Sequence, residues 1–381
     1  VRTEQIRSGR RDGCTFARVC PDWRPPRERA IVAVTQTGVG PRRSAPLASG
    51  VDDMAKTDDR PGAAAPAADA RAKGRLAKLS PPRLHRPMRR ERLMTLLDAK
   101  RAHPAVWVSG PPGAGKTTLL TSYCPTRDLP ILWMQVDPGD ADVSTFFYYL
   151  TEAARALVPR KRALPLLTPE YLPDLPGFAR RYFRALFAMV PAGTLVVLDN
   201  CQTLPQDGPV FDVIGVALAE IPEHANLVLV SRSEPPAVLL PHLANANLAT
   251  IGWTDLRLTP DEATALAAQR STLNAADVGR LHDRSDGWIS GFALMLERAS
   301  HRDPAGANTG GASPEAIFEY FAAQILEATD ERHRHTLLAT SLFHDFTADD
   351  AVAISGHADA PEVLDDLCRR NLFTYRKSSV G

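Results

Sequence analysis

The run GPPGAGKT, residues 110–117, brings three glycines, a lysine and a threonine together at the spacing G-x-x-x-x-G-K-[ST]. Glycine lets a chain turn its amides inward at backbone angles that other residues avoid. Lysine adds a mobile ammonium and threonine a hard hydroxyl oxygen, so the set suits a polyphosphate held with a divalent cation. The expected cradle runs through Gly110, Pro111, Pro112, Gly113, Ala114, Gly115, Lys116, Thr117 and Thr118. Lys116 would reach the β and γ phosphates of ATP or ADP, and Thr117 would offer its hydroxyl to Mg²⁺. Further along, LVVLDN (195–200) ends an apolar run in Asp199, placed to meet the metal. The next position is Asn200, which cannot accept a proton at neutral pH where an acid would polarise water, so hydrolysis is expected to be slow or absent. No catalytic residue is assigned, Asp199 being read as the acid associated with the metal. Arg232 follows the run NLVLVS; it would sense the γ-phosphate or simply close a strand as an exposed arginine. Arg90 and Arg92, in MRRERL, would flank the base or form the charged face of a short helix.

These groups need a scaffold that delivers them to one edge. AVWVSG (105–110), ILWMQVD (131–137), TLVVLD (194–199) and NLVLVS (226–231) are short, β-branched and apolar throughout, as strands covered on both faces must be. Helical patterns separate them: one from about Gly115 to Tyr123, another with an apolar stripe at Phe146, Phe147, Leu150 and Leu157. The expected fold is α/β, a P-loop NTPase-type parallel sheet flanked by helices, with ligands gathering at the carboxyl ends of the strands. After Trp253 the strand pattern gives way to helical stretches at 259–268, 275–283 and 288–299, the first opened by the capping-box sequence TPDE (259–262). We therefore expect a nucleotide-binding domain over 75–253 and a small helical domain over 254–303. A linker by composition follows at 301–314, then a last region over 314–381 whose Ile317, Phe318, Phe321 and Ile325 mark an amphipathic helix.

Residues 1–74 are rich in Arg, Pro, Ala and Gly and include PGAAAPAADARAKG, a composition that cannot offset its ordering entropy, so disorder is expected there. The first methionine is Met54, a candidate for the true start. Net charge is +1, yet residues 1–100 hold 22 Lys+Arg against 11 Asp+Glu, so the front is basic and the remainder acidic. A basic arm of that kind could touch nucleic acid or acidic lipid, or could be compositional bias. With 44% hydrophobic residues the 381-residue chain can bury a real core, and no run approaches the roughly 18 apolar residues of a membrane span. No apolar segment with a small-residue cleavage site follows the N-terminal arginines, and the expectation is a cytoplasmic chain with no membrane contact. Cys14, Cys20, Cys124, Cys201 and Cys368 form no CxxC pair, and His282, His333, His335 and His344 lack partners at metal-ligand spacing; neither group is assigned a role.

Taken in order, several segments resemble the MalT-like ATP-dependent regulators, the large LuxR-type transcriptional activators within the STAND class of P-loop switches. KLSPPRLHRPMRRERL (78–93) is similar to the lead-in of that family, with Arg90 at its arginine. VSGPPGAGKTTLL, WMQVDPGDADVSTFFYYL, LVVLDNCQ and LVLVSRSEPP are similar to its phosphate loop, second-strand segment, acidic strand and sensor strand, the last with Arg232 at the sensor arginine. SDGWISGFAL (285–294) resembles its E-G-W-P-A-G-L segment, and IFEYFAAQILEAT through LCRRNLF its winged-helix-like region, here read as truncated. Three positions depart from the pattern: Asn200 stands for the usual second acid, Gln202 where histidine is common, and Ile289 for the proline after Gly287 and Trp288.

The resemblance implies an ATP/ADP switch in transcription control, self-associating when ATP-bound and controlled by a small inducer. DNA would be met only through a C-terminal helix-turn-helix absent from these residues. The rival readings are a turnover ATPase, with Glu234 or Asp137 replacing the missing base, and a truncated remnant that binds nothing.

Overall fold

A computed structural model of the chain describes residues 15–18, 76–84, 87–158, 163–300, 329–343, 345–370 and 374–377. The composition-based linker at 301–314, the amphipathic pattern at 317–325, Cys14, Cys20 and His344 lie outside them. Two sheets are present among the described residues. The smaller joins β1 (Thr15–Arg18), β7 (Asp345–Thr347) and β8 (Thr374–Lys377) in the order β7-β1-β8, antiparallel throughout. The larger holds β2 (Ala105–Ser109), β3 (Ile131–Gln135), β4 (Thr194–Asp199), β5 (Ala225–Ser231) and β6 (Leu248–Ile251) in the order β3-β4-β5-β2-β6, all parallel.

The expected α/β parallel sheet is thus the fold, with one strand more than the four that the sequence pattern supplied. β6 is only LATI, a short strand at the sheet's edge, and four residues give periodicity little to work with. The strand Thr15–Arg18 also differs from expectation, since it lies inside the segment read as disordered. Backbone pairing with β7 and β8 orders these four residues, a long-range effect that the average composition of 74 residues does not register.

Alternation within the apolar strands explains the two-sided core. Val106, Val108, Leu195, Val197, Val228 and Val230 face one layer, while Trp107, Val196, Leu198, Leu227 and Leu229 face the other. The first layer is closed by α1 (Glu91–Lys100) and α2 (Lys116–Thr126), the second by α3 (Val143–Ala154), α4 (Leu175–Met189) and α5 (Pro209–Glu220). Phe147 of α3 meets Phe178 and Tyr182 of α4 edge-on at centroid distances of 5.0 and 4.8 Å, a geometry that suits the ring quadrupoles. Two short helices, α6 (Leu240–Ala244) and α7 (Trp253–Leu256), flank β6.

Beyond the sheet come α8 (Pro260–Arg270), α9 (Ala275–Ser285) and α10 (Ile289–Ser300), each within two residues of its expected bounds. The Thr259 hydroxyl accepts from Glu262 N and the Glu262 carboxylate accepts from Thr259 N, so the capping box read from TPDE starts α8. Leu258, Ala263, Leu266, Val278, Phe292 and Leu296 give these helices a core of their own. The last module adds α11 (Glu331–Ala339), α12 (Ala348–Ser355) and α13 (Ala360–Arg369) around the small sheet. No helix among the described residues is long and apolar enough to cross a membrane.

Leu229 sits in the middle of β5 with no exposed surface. Leu229→Ala is expected to cost about 2–5 kcal/mol of unfolding free energy, read as a lowered midpoint in urea at unchanged slope.

Candidate functional site

Parallel registry puts the ends of three strands level. Ser109 of β2 pairs with Ser231 of β5, so Gly110 and Arg232 leave the sheet side by side, with Asp199 closing β4 next to them. A cavity of about 510 Å³ opens there, lined among others by Gly113, Gly115, Lys116, Thr117, Asp199, Asn200 and Arg232. The expected cradle, acid and sensor arginine therefore share one site.

Gly113 and Gly115 have φ of 72° and 84°, in the left-handed region where a Cβ is strained, and they turn the loop into α2. Four successive carbonyls of this loop are held by side chains. Lys116 Nζ donates to Gly110 O at 2.6 Å and Pro111 O at 2.9 Å, Trp288 Nε1 to Pro112 O at 2.9 Å, and Ser290 Oγ to Gly113 O at 2.8 Å. Gly115, the N-cap of α2, supplies no capping side chain, so the first-turn amides stay available at the positive end of the helix dipole. Thr117 Oγ1 lies 3.0 and 3.2 Å from the two Asp199 carboxylate oxygens, a pair of hard oxygen donors suited to Mg²⁺. Cradle, ammonium and oxygen pair thus fit a magnesium-bound polyphosphate.

Burial sets the electrostatics. Desolvation lowers the Lys116 pKa to about 7, the Arg232 charge adds to that, and Asp199 opposes it. Desolvation also raises the Asp199 carboxyl, against hydrogen bonds from Thr117 Oγ1 and Asn200 N and the charge of Lys116. Both groups are pushed toward their neutral forms by the same dry surroundings, which a ligand carrying anionic oxygens and a metal would reverse.

Arg90 borders the cavity, but its guanidinium is engaged away from it: Nη1 on Leu256 O at 2.9 Å, and Nη2 on Arg257 O at 2.8 Å and Glu262 Oε2 at 2.7 Å. Arg92 reaches Arg257 O and Glu262 as well. Both arginines thus tie the lead-in to the start of the helical domain, the charged-face reading extended into a clamp. The walls that a base would meet are instead Leu84, Pro87 and Met88 of the lead-in and Leu266 and Arg270 of α8. Sequence reasoning missed these, because loop residues and one helix face carry no motif. It also missed the hydroxyl of Ser290 and the indole of Trp288 as loop ligands, since a hydrogen bond across 176 residues leaves no local pattern. Ile289, the residue at the proline position, lines the cavity, with Cγ2 3.7 Å from where a Gly115 Cβ would stand.

Comparison with known proteins adds three kinds of similarity. A model of the MalT winged helix domain matches residues 322–380. The HTH-type transcriptional regulator MalT of Klebsiella pneumoniae subsp. pneumoniae is 25% identical over 329 residues, 80% of this chain and 35% of that protein. Over most of its length the chain is similar to the MalT-type regulators. MalT of Vibrio cholerae is 27% identical over 310 residues, 77% of this chain and 33% of that protein. The chain thus spans about a third of the length of the MalT proteins it matches. Among solved structures, the Walker-type ATPase of Pyrococcus abyssi superposes with a TM-score of 0.45 at 13% identity, covering 74% of this chain and 89% of that one.

The lowered Lys116 pKa makes stability depend on pH. The folded protein gives up this proton near pH 7 and the unfolded chain near 10.5, so between those values the unfolded state binds more protons and stability rises with pH. Ligand-free protein should gain up to about 1.4 kcal/mol per pH unit from this group, and Lys116→Met should lose that slope. Urea unfolding at pH 7, 8 and 9 measures the difference.

Proposed function

We propose that this chain is the nucleotide-gated switch part of a signal-responsive transcriptional regulator, binding Mg·ATP or Mg·ADP in the cradle at the head of α2 with slow or no hydrolysis. The observation that carries the reading is the loop itself, whose carbonyls from Gly110 to Gly113 are all held by side chains while the amides that open α2 remain available beside Lys116. Thr117 and Asp199 hold the metal, and Lys116 and Arg232 meet the terminal phosphates. The bound metal neutralises phosphate charge, and the protein's own groups orient it. We further read 75–253 as the nucleotide domain, 254–303 as its helical companion and 314–381 as the winged-helix region. Similarity to proteins named as transcriptional regulators supports the regulatory context.

What surrounds the cavity supports slow hydrolysis. Among its described lining residues Asp199 is the one carboxylate. Asp137, a candidate base in the turnover reading, is held by Lys78 at 2.7 Å, and Lys78 also bonds the buried Asp140 at 2.8 Å. Glu234, the other candidate, accepts from Ser109 Oγ at 2.9 Å and does not line the cavity. The final module is read as part of the switch: its helix α13 carries Glu362, Asp365 and Asp366, ill matched to a phosphate backbone. Self-association in the ATP state, an inducer site and a DNA-binding helix-turn-helix belong to the complete regulator, in a cytoplasmic setting.

Calorimetry with Mg·ATP and Mg·ADP tests the reading, with Lys116→Ala as the control. Wild type should bind both, and the variant should lose at least about 2 kcal/mol of binding free energy, as expected when a charged hydrogen-bond partner is removed. Equal affinity in both proteins, or binding by neither, would refute it. Phosphate release by wild type should stay well below about one per second, against a median enzyme near ten per second.

A further inference from the structure

Next to Asp199, hydrogen-bond direction can be followed through two carboxamides. The Arg232 backbone N–H lies 3.0 Å from Gln202 Oε1 and can only donate, so Gln202 presents its oxygen there. Its nitrogen then faces Asn200, and Nε2 donates to Asn200 Oδ1 at 3.3 Å. Asn200 must in turn offer its oxygen to Gln202, which leaves Nδ2 and two N–H groups as the end of the side chain without an acceptor among the described residues. Both residues line the cavity beside Asp199. The Asn200 backbone is fixed as well: it sits in the left-handed region at φ 67° and ψ 33°, with its own N–H on Asp199 Oδ1 at 3.0 Å. Asparagine tolerates that conformation better than most residues with a side chain.

We propose that Asn200 is a ligand of the terminal phosphate of a nucleoside triphosphate, donating from Nδ2 in an orientation imposed by Gln202, so that this pair discriminates triphosphate from diphosphate. The inference rests on the nucleotide reading above. A carboxylate at this position would repel a γ-phosphate oxygen and take a proton from water. A carboxamide aimed by its nitrogen instead offers a neutral donor to an anion, one of the stronger kinds of hydrogen bond. The residue that removes the catalytic base thereby becomes a sensor. Because Gln202 also holds the backbone of Arg232, the contact reaches the end of β5.

Gln202 is a positioning residue, and an isosteric exchange isolates its part. Gln202→Glu keeps an acceptor for the Arg232 N–H but turns an oxygen toward Asn200, whose carboxamide then flips to answer it and faces the phosphate with Oδ1. The test is calorimetry with Mg·ATP and Mg·ADP on wild type, Asn200→Ala, Asn200→Asp and Gln202→Glu, with cooperative melting as the check on folding. The ratio Kd(ADP)/Kd(ATP) should fall about tenfold in Asn200→Ala, further in Asn200→Asp, and in Gln202→Glu by about as much as in Asn200→Ala. A ratio equal to wild type in both Asn200 variants, with both nucleotides bound, would overturn the proposal and leave the nucleotide site standing. A fall in the Asn200 variants but not in Gln202→Glu would overturn the positioning role. Wild type that binds neither nucleotide overturns the reading on which the proposal depends.

Discussion

The arrangement depends on the direction in which one loop points its peptide groups. Between Gly110 and Gly113 each carbonyl accepts a side-chain donor, two from Lys116 and one each from Trp288 and Ser290. Two of these carbonyls precede prolines and the Ala114 N–H is taken by Pro111 O, so the amides that a ligand could use are those that open α2. Glycine at positive φ makes the turn affordable at Gly113 and Gly115, and the dipole of α2 adds partial positive charge at the same place. An anion at this place would meet the amides that open α2, with Lys116 as an addition to them.

The same dryness that strengthens such a site also strains it when no ligand balances the charges. Lys116 is 9% exposed and Asp199 4%, and burial pulls both toward neutrality. Opposite shifts on an adjacent acid and base indicate a pocket arranged for a charge distribution larger than its own. Lys116 meanwhile rests on two loop carbonyls, contacts it would exchange for phosphate oxygens. Binding of a polyphosphate would replace ammonium-to-carbonyl hydrogen bonds with contacts in which both partners carry charge.

Much of this was legible in the sequence because it is local. The phosphate loop, the apolar strands that deliver Asp199 and Arg232, and the TPDE cap are short runs in which residue type and spacing state the geometry. What stayed hidden is long-range or indirect. Arg90 reads equally well as a base contact or as a surface charge until Leu256 O, Arg257 O and Glu262 are placed around it, 166 to 172 residues away in sequence. β6 is four residues, too few for a period, and it takes shape because β2 presents an edge to it. Gln202 stood out only as a departure from the family pattern; its meaning comes from the backbone N–H of Arg232, just past the end of β5.

Two modules touch this site through its frame. Trp288 and Ser290, which open α10, bind loop carbonyls, so the helical module registers the shape of the loop. Glu234, two residues beyond Arg232, donates its backbone N–H to Arg369 O at the end of α13, at 3.0 Å. A ligand can shift a conformational balance only by its differential affinity for the two states. In this fold such a difference would have two places to arise: the loop carbonyls shared with α10, and the segment after β5 shared with α13. A γ-phosphate that pulled Lys116 off Gly110 O and Pro111 O, and engaged the end of β5 through Arg232, would act on both at once. A diphosphate lacks the group that would reach the second.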